Sequence, residues 1–336
     1  MTSTIATVVI GCVAAGVTLI TLPRFFKRTK FAKRSHELAV LQDAGWTKIG
    51  SIKELYAYPI IYSKENEVKE CTFQEDGLVI ESHGNKLRDK MFVIFDEDTQ
   101  CVQSYRNLTA MLRLMVEVPS KDKICLKHDG NTLFLDLQNT VLKKPEAIEC
   151  KIWNHANETL YYIECVDCGE EAAEWVSHTL IGKKCGLRLG YYRNKTLRTI
   201  TLWETFGGLR EIKDSLKKTI QQEMDNNKQL PIYTMVAQQS MEEVNKSLLR
   251  DKGAYDFSAN FIITVKRPFD ECQYKYFKIG NDVIICNVNP WQRPRINPII
   301  IPNDLKLKLM PINCKVLKPG KVRVNDDVYV RTIADV

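Results

Sequence analysis

"TLYYIECVDCGEEAAEWVSHTLIG", Thr159–Gly182, changes its period in mid-stretch. Thr159–Val166 is a run of aromatic and β-branched residues that reads as a strand. Asp167 and Glu170, three apart, then make a capping-box-like pattern. The residues from Cys168 to Gly182 follow as an amphipathic helix. A strand feeding a capped helix sets the expectation of an α+β fold.

Towards the N-terminus, residues 48 to about 142 read mostly as β. "KIGSIKELYAYPII", "KECTFQEDGLVI", "KMFVIFDEDTQCVQSY" and "KDKICLKHDGNTLFLDL" alternate in character and are separated by Asp-Gly or acidic turns. Short, evenly spaced strands of this kind build barrels or sandwiches. Towards the C-terminus the reading is mixed. "LREIKDSLKKTIQQEMDNN" is a longer helix, Ser240 with Glu243 caps another from Met241, and strands resume at "ANFIITVK", "YKYFKIGNDVIICNV" and "GKVRVNDDVYVRTI". The expected architecture is α+β, built on β-barrels.

Residues 1–23, "MTSTIATVVIGCVAAGVTLITLP", carry no charged side chain and are followed by Arg24, Lys27, Arg28, Lys30, Lys33 and Arg34. About 20 apolar residues span a bilayer as a helix, so 1–23 is expected to be a transmembrane anchor. A cleaved signal peptide would carry its basic residues before the apolar run, not after it. The positive-inside rule then puts the body in the cytosol. Residues 24–47 make a basic tether ending in a short amphipathic helix, "SHELAVLQDAGW", capped at Ser35.

That tether also accounts for the net charge of +7. Without its six basic residues, 42 Lys+Arg face 41 Asp+Glu, so the body is close to neutral and a nucleic-acid partner is not expected. The 11 cysteines are odd in number and lack a framework spacing, so in a cytosolic body they should be reduced thiols. Cys165 and Cys168 have CxxC spacing without a second pair, and the five histidines are far apart, so no zinc site is expected. Sequons begin at Asn107, Asn157, Asn194 and Asn245, and a cytosolic body leaves them unmodified.

The ordered segments resemble the mitochondrial amidoxime reducing component and its MOSC-domain relatives over nearly the whole chain. "GSIKELYAYPIIYSKE" is similar to that family's first barrel strand and phosphate loop, and "GNKLRDKMFVIFDED" to its Leu-Arg-Asp-Arg strand. "VDCGEEAAEWVSHTL" resembles the helix that opens the MOSC domain. "DFSANFIITV", "ECQYKYFKIGNDVIICNV" and the closing hairpin "VLKPGKVRVNDDVYV" follow in family order. The resemblance implies a MOSC N-terminal β-barrel at 48–145 and a MOSC domain at 146–333. It also implies a molybdenum cofactor that reduces N-hydroxylated compounds on the cytosolic face of the mitochondrial outer membrane. Electrons would come from cytochrome b5 and its reductase. An endoplasmic reticulum or peroxisome membrane would accept the same anchor. Pyridoxal phosphate is not expected, because the lysine-bearing domain of the fused sulfurase relatives is absent.

Carried over by position, the pterin-binding residues would be Lys64, Arg88, Lys90, Asn260 and Arg293. The metal-ligating cysteine position, however, is occupied by Pro294, in "NPWQRP". Proline offers no side-chain donor to a metal. The first lysine of the phosphate loop falls on Ile61, the last arginine of the Leu-Arg-Asp-Arg strand on Lys90, and the arginine of the next strand on Tyr105. An arginine and a proline before Asn260 become Ser258 and Ala259. Lys90 keeps the charge of the arginine it replaces but not its bidentate fork. Two readings stand at this point. The chain is a degenerate, non-catalytic member acting as a binding or regulatory module, or an active reductase with atypical ligation in which Cys286 substitutes for the lost thiolate. The alternative for Cys286 is an inert core thiol. Trp291 either lines a pocket at the lost cysteine or fills its void.

Overall fold

The computed structural model describes residues 38, 39, 41, 45–136 (without 83, 121 and 122), 147–154, 159–192, 198–200, 233–246, 259–288 and 312–331. The transmembrane anchor at 1–23, most of the tether, the helix expected over 209–227 and the Pro-rich loop at 289–311, with Arg293 and Pro294, lie outside the described residues. No described helix is long and apolar enough to cross a membrane.

The chain begins with β1 (Thr47–Ala57), β2 (Asn66–Val68), β3 (Glu70–Gln74), β4 (Gly77–Ser82), β5 (Asn85–Arg88) and β6 (Phe92–Asp96). A hairpin pair follows, β7 (Met115–Ser120), β8 (Lys123–His128) and β9 (Asn131–Leu135), then β10 (Ala147–Asn154) and β11 (Thr159–Asp167). Next come α1 (Glu170–Ile181), β12 (Leu187–Tyr192), β13 (Arg198–Ile200), β14 (Tyr233–Ala237), α2 (Gln238–Asn245) and β15 (Phe261–Ile263). The C-terminal part is β16 (Tyr276–Ile279), β17 (Val283–Asn287), β18 (Ile312–Lys318), β19 (Gly320–Arg323) and β20 (Asp327–Arg331).

The β-barrel of the expected architecture is present, and the described residues are mostly β, with two α-helices. One barrel closes. β1 pairs with β20 on one side and β15 on the other, and β15-β14-β18-β17-β16-β20 complete the seven-stranded ring, with β2 attached to β1. β1 manages this because it is long and carries two irregularities, between Lys48 and Gly50 and between Ile52 and Glu54. Such bulges bend a strand enough to serve two neighbours. At Gly50 a side chain is impossible, since an added Cβ would lie 1.9 Å from the Thr264 carbonyl oxygen. Ile52, Leu55, Tyr233, Met235, Phe261, Phe277, Ile285 and Val328 fill the interior. Phe73 of β3 joins them, its ring 4.6 Å from that of Tyr233 and 5.3 Å from that of Phe261.

The remaining strands form three sheets: β10-β11-β12-β6 with β13 on β11, β19-β3-β4-β5, and β7-β8-β9. The boundary expected at 145/146 does not divide these sheets. β1 closes a barrel of C-terminal strands, β19 pairs with β3, and β12 pairs with β6. Thr47–Thr332 is one compact unit.

Of the expected caps, those at Asp167 and Ser240 differ from the ones observed, and Ser35 lies outside the described residues. α1 starts one turn of chain later than Asp167, with Gly169 as its cap and no side-chain cap bond. Asp167 instead accepts from the Gly169 N–H at 2.7 Å and from Arg188 Nε, while Glu170 accepts from Arg188 Nη2 at 2.7 Å. The guanidinium on β12 outbids the free N–H groups of the helix for both carboxylates, because ion-assisted bonds are the stronger ones. At its far end α1 stops at Gly182, in the left-handed region (φ 66°), whose N–H reaches the His178 carbonyl at 3.0 Å. Ser240 lies inside the first turn of α2, whose cap is Ala237. Its hydroxyl is diverted to the buried Glu271 Oε1 at 2.6 Å and accepts the Phe269 N–H at 2.8 Å.

Candidate functional site

Tyr58-Pro59 ends the run of β1 and turns the chain back beneath β6. The Phe92 N–H donates to the Pro59 carbonyl at 2.8 Å, and the Ile61 N–H donates to the Phe92 carbonyl at 2.9 Å. Ser63 Oγ donates to the Met111 carbonyl at 2.7 Å, and the Tyr105 N–H donates to the Tyr62 carbonyl at 3.0 Å. Tyr62 adopts a left-handed backbone (φ 59°), which lets four residues reverse direction. The turn is thus pinned at both ends, and Lys64 leaves it as an exposed side chain.

Against this turn lies the end of β5. The Lys90 N–H donates to the Tyr58 carbonyl at 2.8 Å, and the Tyr58 N–H donates to Asp89 Oδ1 at 2.7 Å. Asp89 Oδ2 pairs with Lys90 Nζ at 2.9 Å, with the Asp89 side chain only 2% exposed. Lys90 holds a left-handed conformation (φ 54°), which folds its side chain back onto the preceding carboxylate. Arg88 points to the other side of the strand. Its Nη2 donates to the Tyr191 hydroxyl at 2.8 Å, and its guanidinium lies 5.9 Å from the Tyr191 ring centroid.

The third component comes from the segment entering β15. The Tyr58 hydroxyl donates to the Ala259 carbonyl at 3.1 Å, and burial pushes the Tyr58 phenol well above its ordinary range. Asn260 is fully buried. The Thr234 N–H donates to its Oδ1 at 3.0 Å, and its Nδ2 donates to the Tyr56 carbonyl at 3.4 Å. Its backbone is held as well, by Tyr56 N–H to the Asn260 carbonyl at 2.7 Å and Asn260 N–H to the Thr234 carbonyl at 2.8 Å.

The structure therefore brings two of the residues implied by the resemblance, Lys90 and the segment of Asn260, to either side of Tyr58, while the Arg88 side chain lies on the other side of its strand. Each has a protein partner. Asn260 spends both ends of its carboxamide on β14 and β1, and Lys90 neutralises Asp89. Ile61, at the family's lysine position, is 3% exposed and packs with Val93, Ile152, Ile163 and Tyr192. Tyr105 rests against the second apolar cluster, with the Arg106 guanidinium 5.9 Å from its ring centroid.

Cys286 is corrected from a core position. Val283 and Ile285 point into the barrel, so Cys286 faces outward by strand alternation, half-buried, its Sγ 3.3 Å from the Asn287 carbonyl. The CxxC spacing of Cys165 and Cys168 makes no pair. Cys165 packs in the cluster beneath Ile61, while Cys168 packs against the cluster around α1. Among the described residues no three His, Cys, Asp or Glu side chains group closely enough to hold a metal ion.

Two residues that organise the seam, Tyr58 and Asp89, were not singled out from the sequence. A carboxylate in the middle of "KLRDKMFV" was the available signal, since an acid inside a β segment needs a partner when the fold encloses it.

No protein-family model and no curated protein matches the chain. Among solved structures, the YUAD protein from Bacillus subtilis aligns over 86% of this chain and 99% of its own, at 9% identity and a TM-score of 0.34. A likeness at that level carries no argument here.

Proposed function

We propose that this chain is a membrane-anchored, MOSC-like protein resembling the amidoxime reducing family, with its molybdenum chemistry lost and its body kept as a binding or regulatory module. The observation that carries the reading is the inward use of the site. A pterin phosphate needs cationic or N–H donors free to meet it. Here the lysine position is the buried Ile61, Lys90 is committed to Asp89, and the Asn260 carboxamide is satisfied by Thr234 and Tyr56. Of the carried-over positions that are described, Lys64 is exposed, one cation where a phosphate calls for several donors, so these residues fit the cofactor poorly. Pro294 at the ligand position, read from the sequence, agrees. In this reading the segment 1–23 tethers the body to the cytosolic face of a membrane, the mitochondrial outer membrane by resemblance. An active relative, rather than cytochrome b5 and its reductase, becomes the natural partner.

The test is the molybdenum and pterin content of the full chain, purified in detergent from a cofactor-competent host beside an active relative. Absence of both in a preparation whose control is loaded supports the proposal. Stoichiometric metal with pterin overturns it in favour of an active reductase, and Cys286→Ala then asks whether that thiolate holds the metal. Pterin without metal leaves a binding module that kept its phosphate grip.

A further inference from the structure

β10 and β11 pair antiparallel with Ile148 opposite Cys165 and Cys150 opposite Ile163. Cys150 and Cys165 are therefore diagonal neighbours on one face of the hairpin. Their Sγ atoms lie 3.3 Å apart, and both side chains are enclosed. Room for the Cys165 sulfur comes from Gly190 on β12, where an added Cβ would stand 2.5 Å from Sγ and 3.0 Å from Val93 Cγ1. The cysteine that the sequence spacing offered as a partner, Cys168, belongs to another cluster.

We propose that Cys150 and Cys165 form a redox-responsive dithiol that closes to a cross-strand disulfide by exchange with a small-molecule disulfide of the glutathione type. One thiol gives up its proton and its sulfur attacks the small disulfide, releasing one thiolate and leaving a mixed disulfide. The second thiol, deprotonated in turn, attacks the protein-side sulfur of that bond and releases the other thiolate. Two protons and two electrons leave the pair, and the small disulfide is reduced to two thiols. Closure asks the sulfurs to move from 3.3 Å to about 2.05 Å.

The hydrogen bond to Cys165, with burial behind it, holds the Cys150 thiol well above its ordinary range, so exchange in the closed fold is slow. The fold supplies an opening. β10 is the edge strand of its sheet, and beyond it the described residues show a short bridge to residues 100–102, with Val102 N–H on the Lys151 carbonyl and Lys151 N–H on the Gln100 carbonyl, both at 2.8 Å. Fraying of such an edge exposes the pair without unfolding the barrel. The thiol cluster also contains Ile61 and Tyr192, so the bond would tie two strands directly beneath the turn of the candidate site.

The experiment incubates the full chain in glutathione buffers of rising oxidised fraction, blocks free thiols by alkylation, and reads intact mass and a non-reducing peptide map. Loss of two hydrogens, a single crosslinked peptide joining Cys150 to Cys165, and a melting temperature raised by about 5 °C and restored by dithiothreitol are expected. Cys150→Ala and Cys165→Ala should each abolish the link. Melting of the reduced forms shows whether those variants stay folded. Protein glutathionylated at the exposed Cys101 and Cys185 without a 150–165 link overturns the proposal. So does a link from Cys165 to Cys168 or from Cys101 to Cys150.

Discussion

Asp89 and Glu271 are carboxylates enclosed by the same fold in two different ways. At the end of β5, both oxygens of Asp89 are met, one by the Tyr58 N–H and one by Lys90. Glu271 sits in the short turn Asp270–Gln273 beside the start of α2, 2% exposed. Its Oε1 accepts from Ser240, whereas Oε2 is a buried atom with no hydrogen-bond partner. Burial, with the nearby Asp270 charge adding to it, raises the Glu271 pKa against the opposing bonds from Ser240 and the backbone. Enclosure alone therefore says little about a buried acid. A cation on the neighbouring residue meets the second oxygen of Asp89, whereas burial disfavours the charged form of Glu271.

Breaking the satisfied carboxylate should cost most. Asp89→Ala removes the partner of Lys90 and of the Tyr58 N–H, and losing one member of an enclosed pair costs about 3–5 kcal/mol. Denaturant melts should show a lower midpoint with an unchanged slope, and an effect below about 1 kcal/mol would mean that Lys90 simply swings to solvent. Next, Ser240→Ala strips Glu271 of its side-chain donor and leaves the Phe269 N–H unmet. A loss of about 1–3 kcal/mol at neutral pH is expected, shrinking as the pH is lowered and Glu271 is protonated. Third, Tyr58→Phe removes a neutral bond to the Ala259 carbonyl, worth about 1 kcal/mol.

The pH dependence sharpens the contrast further. Because the folded pKa of Glu271 is raised, its favourable contribution is complete below the unfolded value of about 4.3 and is lost as pH climbs through the folded value. Glu271→Gln should flatten that part of the stability profile, and unchanged slopes in variant and parent would assign the dependence elsewhere. The smallest effect belongs to an exposed pair. Lys127→Met, which removes the ion pair 2.5 Å long to the diagonal neighbour Glu117 across β7 and β8, should leave the melting temperature unmoved, because solvent already screens both charges.

Much of the β content was legible. Alternation in "KIGSIKELYA", "KICLKH" and "NDVIICN" corresponds to β1, β8 and β17, and the helix at Glu170–Ile181 stands where its apolar spacing put it. The capping residues were misread at Asp167 and Ser240 because a local rule competes with distant partners. Arg188 lies 21 residues from Asp167, and Glu271 lies 31 from Ser240. At Arg88, Lys90 and Asn260 the residue types were legible, but the direction in which those side chains spend their polar atoms was not.

Composition and order by themselves determined the apolar segment with its basic flank, the near-neutral body, the period-2 strands and the proline at the ligand position. Those properties depend on chemistry carried within a few residues. Only the tertiary structure decided that β1 closes a barrel of C-terminal strands, that Cys165 meets Cys150 rather than Cys168, and that Asn260 is consumed by Thr234 and Tyr56. Pairings of that kind follow from strand register and from which groups find a partner once water is gone, and neither is encoded in any single stretch of chain.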